Sequence, residues 1–303
     1  MIGMRSILIS GWIMSNQVTT AFVQQYSQNL AHLAQQKGSR LRGLVRTEGV
    51  RAKQAFFDQI GSQTASVRTT RGADTIINDT PHARRRVTLA DYEVADLIDD
   101  QDKLRMIVDP TSSYAQAQAF AIGRAMDDVI ISAATGTAYT GETGTTSVTL
   151  SGYNSGSQVI AAGGAAMTLA KLREAKYILD NADVDPSIPR VLVVSPKQIQ
   201  DLLADTNVTS SDYNTVKAMV QGEINAFMGF TFVTSTRLGL SGSTRSCFAY
   251  AVDGVLLAVA KDLTVRIDER PDKSYATQVY ACMSIGATRM EETKVVQIDC
   301  VES

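Results

Sequence analysis

Thr80-Pro81-His82-Ala83-Arg84-Arg85-Arg86-Val87-Thr88-Leu89-Ala90-Asp91-Tyr92-Glu93-Val94-Ala95-Asp96-Leu97-Ile98-Asp99-Asp100-Gln101-Asp102-Lys103 is the stretch on which the reading of this chain turns. Three arginines run into β-branched and apolar residues, which favour extended backbone. Acids at Asp91, Glu93, Asp96, Asp99, Asp100 and Asp102 follow, so the most basic and the most acidic runs abut. Directly afterwards, Asp109-Pro110-Thr111-Ser112 supplies the capping and first-turn residues of a helix. Tyr114, Ala117, Ala121, Ala125, Met126, Val129, Ile130 and Ala133 then form one stripe that ends at Gly136. That spacing predicts a long, straight, partly buried helix whose alanines let another backbone approach closely.

Upstream, residues 39–90 are rich in Arg, Thr, Gln and Gly, with Phe56, Phe57, Ile60, Ile76 and Ile77 among the few large apolar side chains. Turn signals stand at Arg71-Gly72 and Asn78-Asp79. A segment this long without its own core reads as a functional loop. Before it, Val18, Phe22, Tyr26, Leu30 and Leu33 predict an amphipathic helix over 15–37, stopped by Gly38. The apolar stretch ahead of Met14 is short and broken by Ser10 and Gly11, which fits a start at Met14 better than a secretory signal.

Downstream, helix and strand alternate. Helices are expected at 168–181, 196–204 and 217–227, with a Met228-Gly229 turn after the last. Strands are expected at 190–195, 230–234, 248–259, 263–268, 275–285 and 294–298, largely antiparallel because their links are short. Hairpin character surrounds Val148-Thr149-Leu150. The class is α+β, with no internal repeat.

The chain's 303 residues, 44% hydrophobic and 20% charged, exclude a disordered polyelectrolyte, and 21 Gly with 6 Pro exclude a collagenous chain. There is no apolar run long enough for a membrane helix. The net charge of -2 is unevenly spread. Residues 1–90 hold twelve Lys and Arg against four acids, a charge of +8, which leaves −10 on the rest. Such a basic third can bind a polyanion, bind the acidic body of another copy, or simply form a solvated surface. The three cysteines, Cys247, Cys282 and Cys300, have neither disulfide-framework nor zinc spacing.

Catalytic signatures are missing. There are two histidines, His32 and His82, and no G-x-S-x-G or HExxH. Gly136-Thr137-Ala138-Tyr139-Thr140-Gly141-Glu142-Thr143 has phosphate-loop spacing, but Glu142 stands where the lysine should be, so it reads as a flexible Gly/Thr loop. Asp180, Asp183 and Asp185 lack the turn glycine and closing glutamate of a calcium loop. No catalytic residue, cofactor site or metal site is expected.

The 80–103 segment, its continuation through Asp109-Pro110-Thr111-Ser112 to Gly123-Arg124-Ala125-Met126-Asp127-Asp128-Val129-Ile130, and the units Val191-Leu192-Val193-Val194-Ser195-Pro196 and Gly229-Phe230-Thr231-Phe232-Val233-Thr234-Ser235 carry a resemblance. Together they resemble the major capsid protein of tailed bacteriophages, with the Hong Kong 97 fold, over roughly residues 15–300. The resemblance implies an N-terminal arm at 1–44, an extended loop at 45–100 reaching over a neighbour, and a peripheral domain with a spine helix at 101–165. It further implies an axial domain over most of 166–260 and C-terminal strands at 261–303 returning to the peripheral domain.

By this resemblance the subunit forms pentamers and hexamers of an icosahedral head shell around double-stranded DNA. It is located in the virion, after assembly in the host cytoplasm. The chain itself is the main partner; a scaffolding protein, portal and decoration proteins are further ones, and no membrane is involved. Arg68, Arg71, Arg84, Arg85 and Arg86 would meet Asp91, Glu93, Asp99, Asp100 and Asp102 across the subunit contact. Residues 54–102 contain no Lys, which argues against covalent crosslinking through the loop. About forty residues precede the loop, so scaffolding is expected from a separate protein or none. An encapsulin-type compartment shell and a soluble enzyme with a 135–166 cover loop are the alternatives.

Overall fold

The computed structural model describes residues 34–72, 74–75, 77–99, 111–204 and 226–302. Along the chain come β1 (Arg46–Gly49), β2 (Gln54–Ile60), β3 (His82–Thr88), β4 (Ala90–Ile98), α1 (Thr111–Thr135), β5 (Ala138–Thr140), β6 (Thr146–Val148) and β7 (Val159–Ile160). Then follow α2 (Leu169–Asn181), β8 (Arg190–Val194), α3 (Pro196–Ala204), β9 (Ala226–Phe227), β10 (Phe230–Thr234) and β11 (Leu240–Ser241). The chain ends with β12 (Thr244–Ala251), β13 (Val255–Arg270), β14 (Ala276–Arg289) and β15 (Val295–Val301).

These strands make three sheets. The largest runs β7-β15-β12-β8-β10-β9, with β11 on β12. At its centre Val191–Val194 of β8 are fully buried, as expected for an unbroken apolar run covered on both faces. A second sheet runs β1-β13-β14-β4, and α1 packs across β14, β4 and β13. One apolar core joins the two: Ile122, Met126 and Ile130 of α1 share it with Leu192, Phe248, Val255, Ile285 and Val296. The third sheet, β2-β3-β5-β6, forms the base of the extended loop.

The long helix follows its alanine-rich stripe and stops where a Cβ on Gly136 would sit 2.4 Å from the Ser132 carbonyl oxygen. A close backbone approach does occur on it. At Gly123 an added Cβ would lie 2.6 Å from the Gly38 backbone, so only glycine lets residues 38 and 39 lie there. The buried Asp127 carboxylate, one turn on, fastens that segment by accepting from the Ser39 hydroxyl, Arg40 N–H at 3.0 Å and Leu41 N–H at 3.2 Å.

Several strand expectations need correction. Residues 248–259 are not one strand, because a 3-10 turn at Val252–Gly254 hands the chain from the seven-stranded sheet to the helix-covered one. Residues 263–268 instead belong to β13, which is irregular between Val259 and Thr264. β15 pairs with β12 and β7 in the seven-stranded sheet. The helix expected at 15–37 lies outside the described residues up to 33, and 34–37 are not helical. That expected at 217–227 lies outside them up to 225, and Ala226–Phe227 form β9. The Met228-Gly229 turn, both residues at positive φ, is the two-residue hairpin loop between β9 and β10.

Candidate intersubunit surface

The extended loop stands on the antiparallel β2–β3 pair, whose register runs from Gln54 opposite Thr88 to Ile60 opposite His82. β2 alternates between exposed and half-buried side chains. On the inner face Phe57 and Val50 pack against a small cluster of Val87, Leu256, Ala258 and Met290. Beyond the strands, residues 61–81 form no regular element among those described. Their two limbs are tied by Gly61 N–H to the Pro81 carbonyl at 2.8 Å, by the Asn78 amide to the Thr64 carbonyl at 2.7 Å, and by Gln63 to Thr80. Val67 is 83% exposed and Ile77 is 87% exposed, so the loop leaves large apolar side chains in solvent when the subunit stands alone.

The proposed interface residues divide into two sets. Arg68 and Arg71 are exposed on the loop, Arg71 in the turn expected at Arg71-Gly72. No turn forms at Asn78-Asp79, where the Asn78 side chain bonds across to Thr64 instead. Asp91, Glu93 and Asp99 are exposed on and just after β4, which pairs only with β14 among the described residues. Asp100 and Asp102 lie outside the described residues. The Glu93 carboxylate accepts from the Tyr280 hydroxyl at 3.0 Å, and this bond is the main cause that pushes the phenol up to about 12.

The arginine triplet behaves differently. Each of its members has a partner in its own subunit. Arg84 meets Asp58 at 2.6 Å across the hairpin and lies over the Phe56 ring. This guanidinium is the chief cause holding the Asp58 carboxyl below its usual range. Arg86 stacks on Tyr139 of β5, 4.7 Å from the ring centroid. Arg85 is buried, donating to the Met290 carbonyl at 2.8 Å and pairing with Glu292. Arg85 therefore belongs to the interior of its own subunit, whereas Arg84 and Arg86 are only half-buried.

More of the basic N-terminal third is likewise engaged within its own subunit. Arg42 grips Asp262 with two bonds, the longer 2.9 Å, and Arg40 donates to the Thr234 carbonyl at 2.6 Å. Sequence reading missed Asp127, Arg289 and Glu292, because neither hydropathy nor spacing signals that a charged side chain is buried against a partner far along the chain. Among the described residues no group of His, Cys, Asp and Glu could hold a metal ion, and no helix is long and apolar enough to cross a membrane.

In three dimensions the chain is similar to the capsid of a native GTA particle, with a TM-score of 0.72 and 14% identity, over 97% of this chain and 100% of that one. It is similar to the capsid of the cyanophage P-SCSP1u, with a TM-score of 0.71 and 16% identity, over 94% and 95%. The capsid of Ralstonia phage GP4 gives a TM-score of 0.69 and 12% identity over 99% of both chains. At such identities the likeness establishes the fold. Comparison with curated proteins finds no match. Residues 18–302 match the family described as phage capsid protein, and the chain belongs to that family.

Proposed function

We propose that this capsid protein is the repeating subunit of a phage head, assembling as pentamers and hexamers into an icosahedral shell around double-stranded DNA. The observation that carries this reading is the loop at 61–81. Its described residues form no core of their own and leave Val67 and Ile77 in solvent. A second copy offers what it lacks. The acidic edge strand β4, with Asp91 and Glu93 on it and Asp99 just after it, has one strand edge that pairs with no other strand among the described residues. Main-chain pairing along such an edge supplies affinity, and Arg68 and Arg71 facing the acids supply register.

In this reading residues 1–44 are the arm and 45–100 the loop. Residues 101–165 form the peripheral part around α1, most of 166–260 forms the axial part, and 261–303 return toward the periphery. The subunit serves structure, not catalysis. Basic residues facing the genome make sequence-independent phosphate contacts. Scaffolding, portal and decoration proteins are further partners, and assembly takes place in the host cytoplasm. The membership of the chain in the phage capsid family favours this over a compartment shell.

Light scattering of the purified protein tests the proposal. Particles of many copies are expected at assembly-promoting salt. A subunit that stays a monomer or small oligomer under every condition contradicts it.

A further inference from the structure

A buried charge cluster sits where the extended loop joins the body. Glu292, 4% exposed, lies between two guanidiniums: it pairs with Arg85 of β3 and with Arg289 of β14, whose Nε is 3.6 Å away. Arg289 is wholly buried and donates to the carbonyls of Ala134 at 3.0 Å and Gly136 at 2.8 Å, at the C-terminal end of α1. It also donates to the carbonyl of Val148 in β6 at 3.0 Å. From the other strand of the loop, the Gln59 amide reaches the Met290 carbonyl at 2.8 Å, the same oxygen that Arg85 bonds. Both strands of the loop, the end of the long helix, β6 and the β14–β15 turn therefore converge on three charged side chains.

Two cations facing one carboxylate repel each other once that carboxylate is neutralised, and burial keeps water from screening them. Apolar packing at this junction is modest, since the second cluster holds four buried residues. Directional charge contacts thus do here what packing does elsewhere. We infer that Glu292 is a positioning residue that fixes the direction in which the extended loop leaves the body, so that its charge governs assembly through the loop. The assembly half of this inference rests on the shell reading, and the loop half does not.

The test uses the full chain with Glu292→Gln, which keeps side-chain size and removes the charge. Hydrogen exchange in β8 and β12 is expected to stay slow. Amides of β2 and β3 are expected to exchange about a hundredfold faster, the scale on which losing one partner of a buried pair shifts a local opening. Particle yield is expected to fall at least about tenfold. Arg85→Lys, which keeps the charge but loses the planar fork, serves if E292Q does not fold, with the same pattern at smaller amplitude.

Unchanged exchange in β2 and β3 overturns the inference. So does equal acceleration in β8 and β12, or unfolding of both variants, because the cluster would then hold up the whole subunit. Normal particle yield with a loosened loop overturns the role in assembly. If the wild-type chain itself forms no particles, the shell reading fails, while the exchange comparison still judges the loop.

Discussion

The β8–β12 pair and the β2–β3 pair are both antiparallel ladders, yet they are held in opposite ways. In the first, Val191, Leu192, Val193 and Phe248 to Ala251 are wholly buried, so each strand is stabilised mainly by area removed from water. In the second, every other residue of β2 is exposed and charge and ring contacts dominate: Arg84 with Asp58, Arg84 over Phe56, Arg86 over Tyr139, and the buried Arg85 with Glu292. With only one face on a small apolar cluster, this pair removes far less apolar area from water. The contrast teaches that this chain builds a body held by buried apolar area and a projecting element held by charge and ring contacts, which the proposed shell would complete from a neighbour.

One substitution made in both regions tries that contrast hardest. Phe248→Ala empties a fully buried site and is expected to destabilise the subunit by about 3–5 kcal/mol, read from the urea midpoint. Phe56→Ala removes a ring that is 42% exposed, and is expected to cost under about 1 kcal/mol in the same assay. Equal losses would mean that the loop base is as much core as the body.

A smaller effect sharpens the picture at the β13–β14 tip. Bonding to Arg270 is the chief cause that lowers the Asp272 carboxyl to about 2 from an ordinary 3.8. A carboxylate with a depressed folded pKa contributes stability above its unfolded pKa and loses it as pH falls through the folded value. The lead of wild type over Asp272→Asn should therefore be full at neutral pH and shrink from about 3.8 toward about 2. Both side chains are solvent-exposed, so the lead should also fade in high salt. A carboxyl carbon resonance titrating near 3.8 would show that the tip contact does not hold in solution.

Where pattern and burial agree, the sequence was legible. The alanine stripe marks α1, Val191–Val194 mark β8, and Pro196 opens α3. The sheet switch at Val252–Gly254 was hidden because Phe248–Ala251 and Val255–Ala258 are both buried and apolar, so hydropathy does not change across the turn. Only the close approach of Lys294 makes glycine necessary at 254, where a Cβ would lie 2.8 Å from the Lys294 Cβ. Arg85 shows the other failure. Its neighbours Arg84 and Arg86 do reach the surface, whereas its own counter-ion lies 207 residues further on. Long-range pairing of that kind leaves no periodic trace.

Electron microscopy of the wild-type chain beside a chain whose residues 62–80 are replaced by a short Gly-Ser link tests the central claim most directly. Closed shells are expected from the first. From the second, a folded subunit with unchanged circular dichroism and no shells is expected. Shells from both, or shells from neither with the loop of the wild type packed onto its own body, would contradict the account.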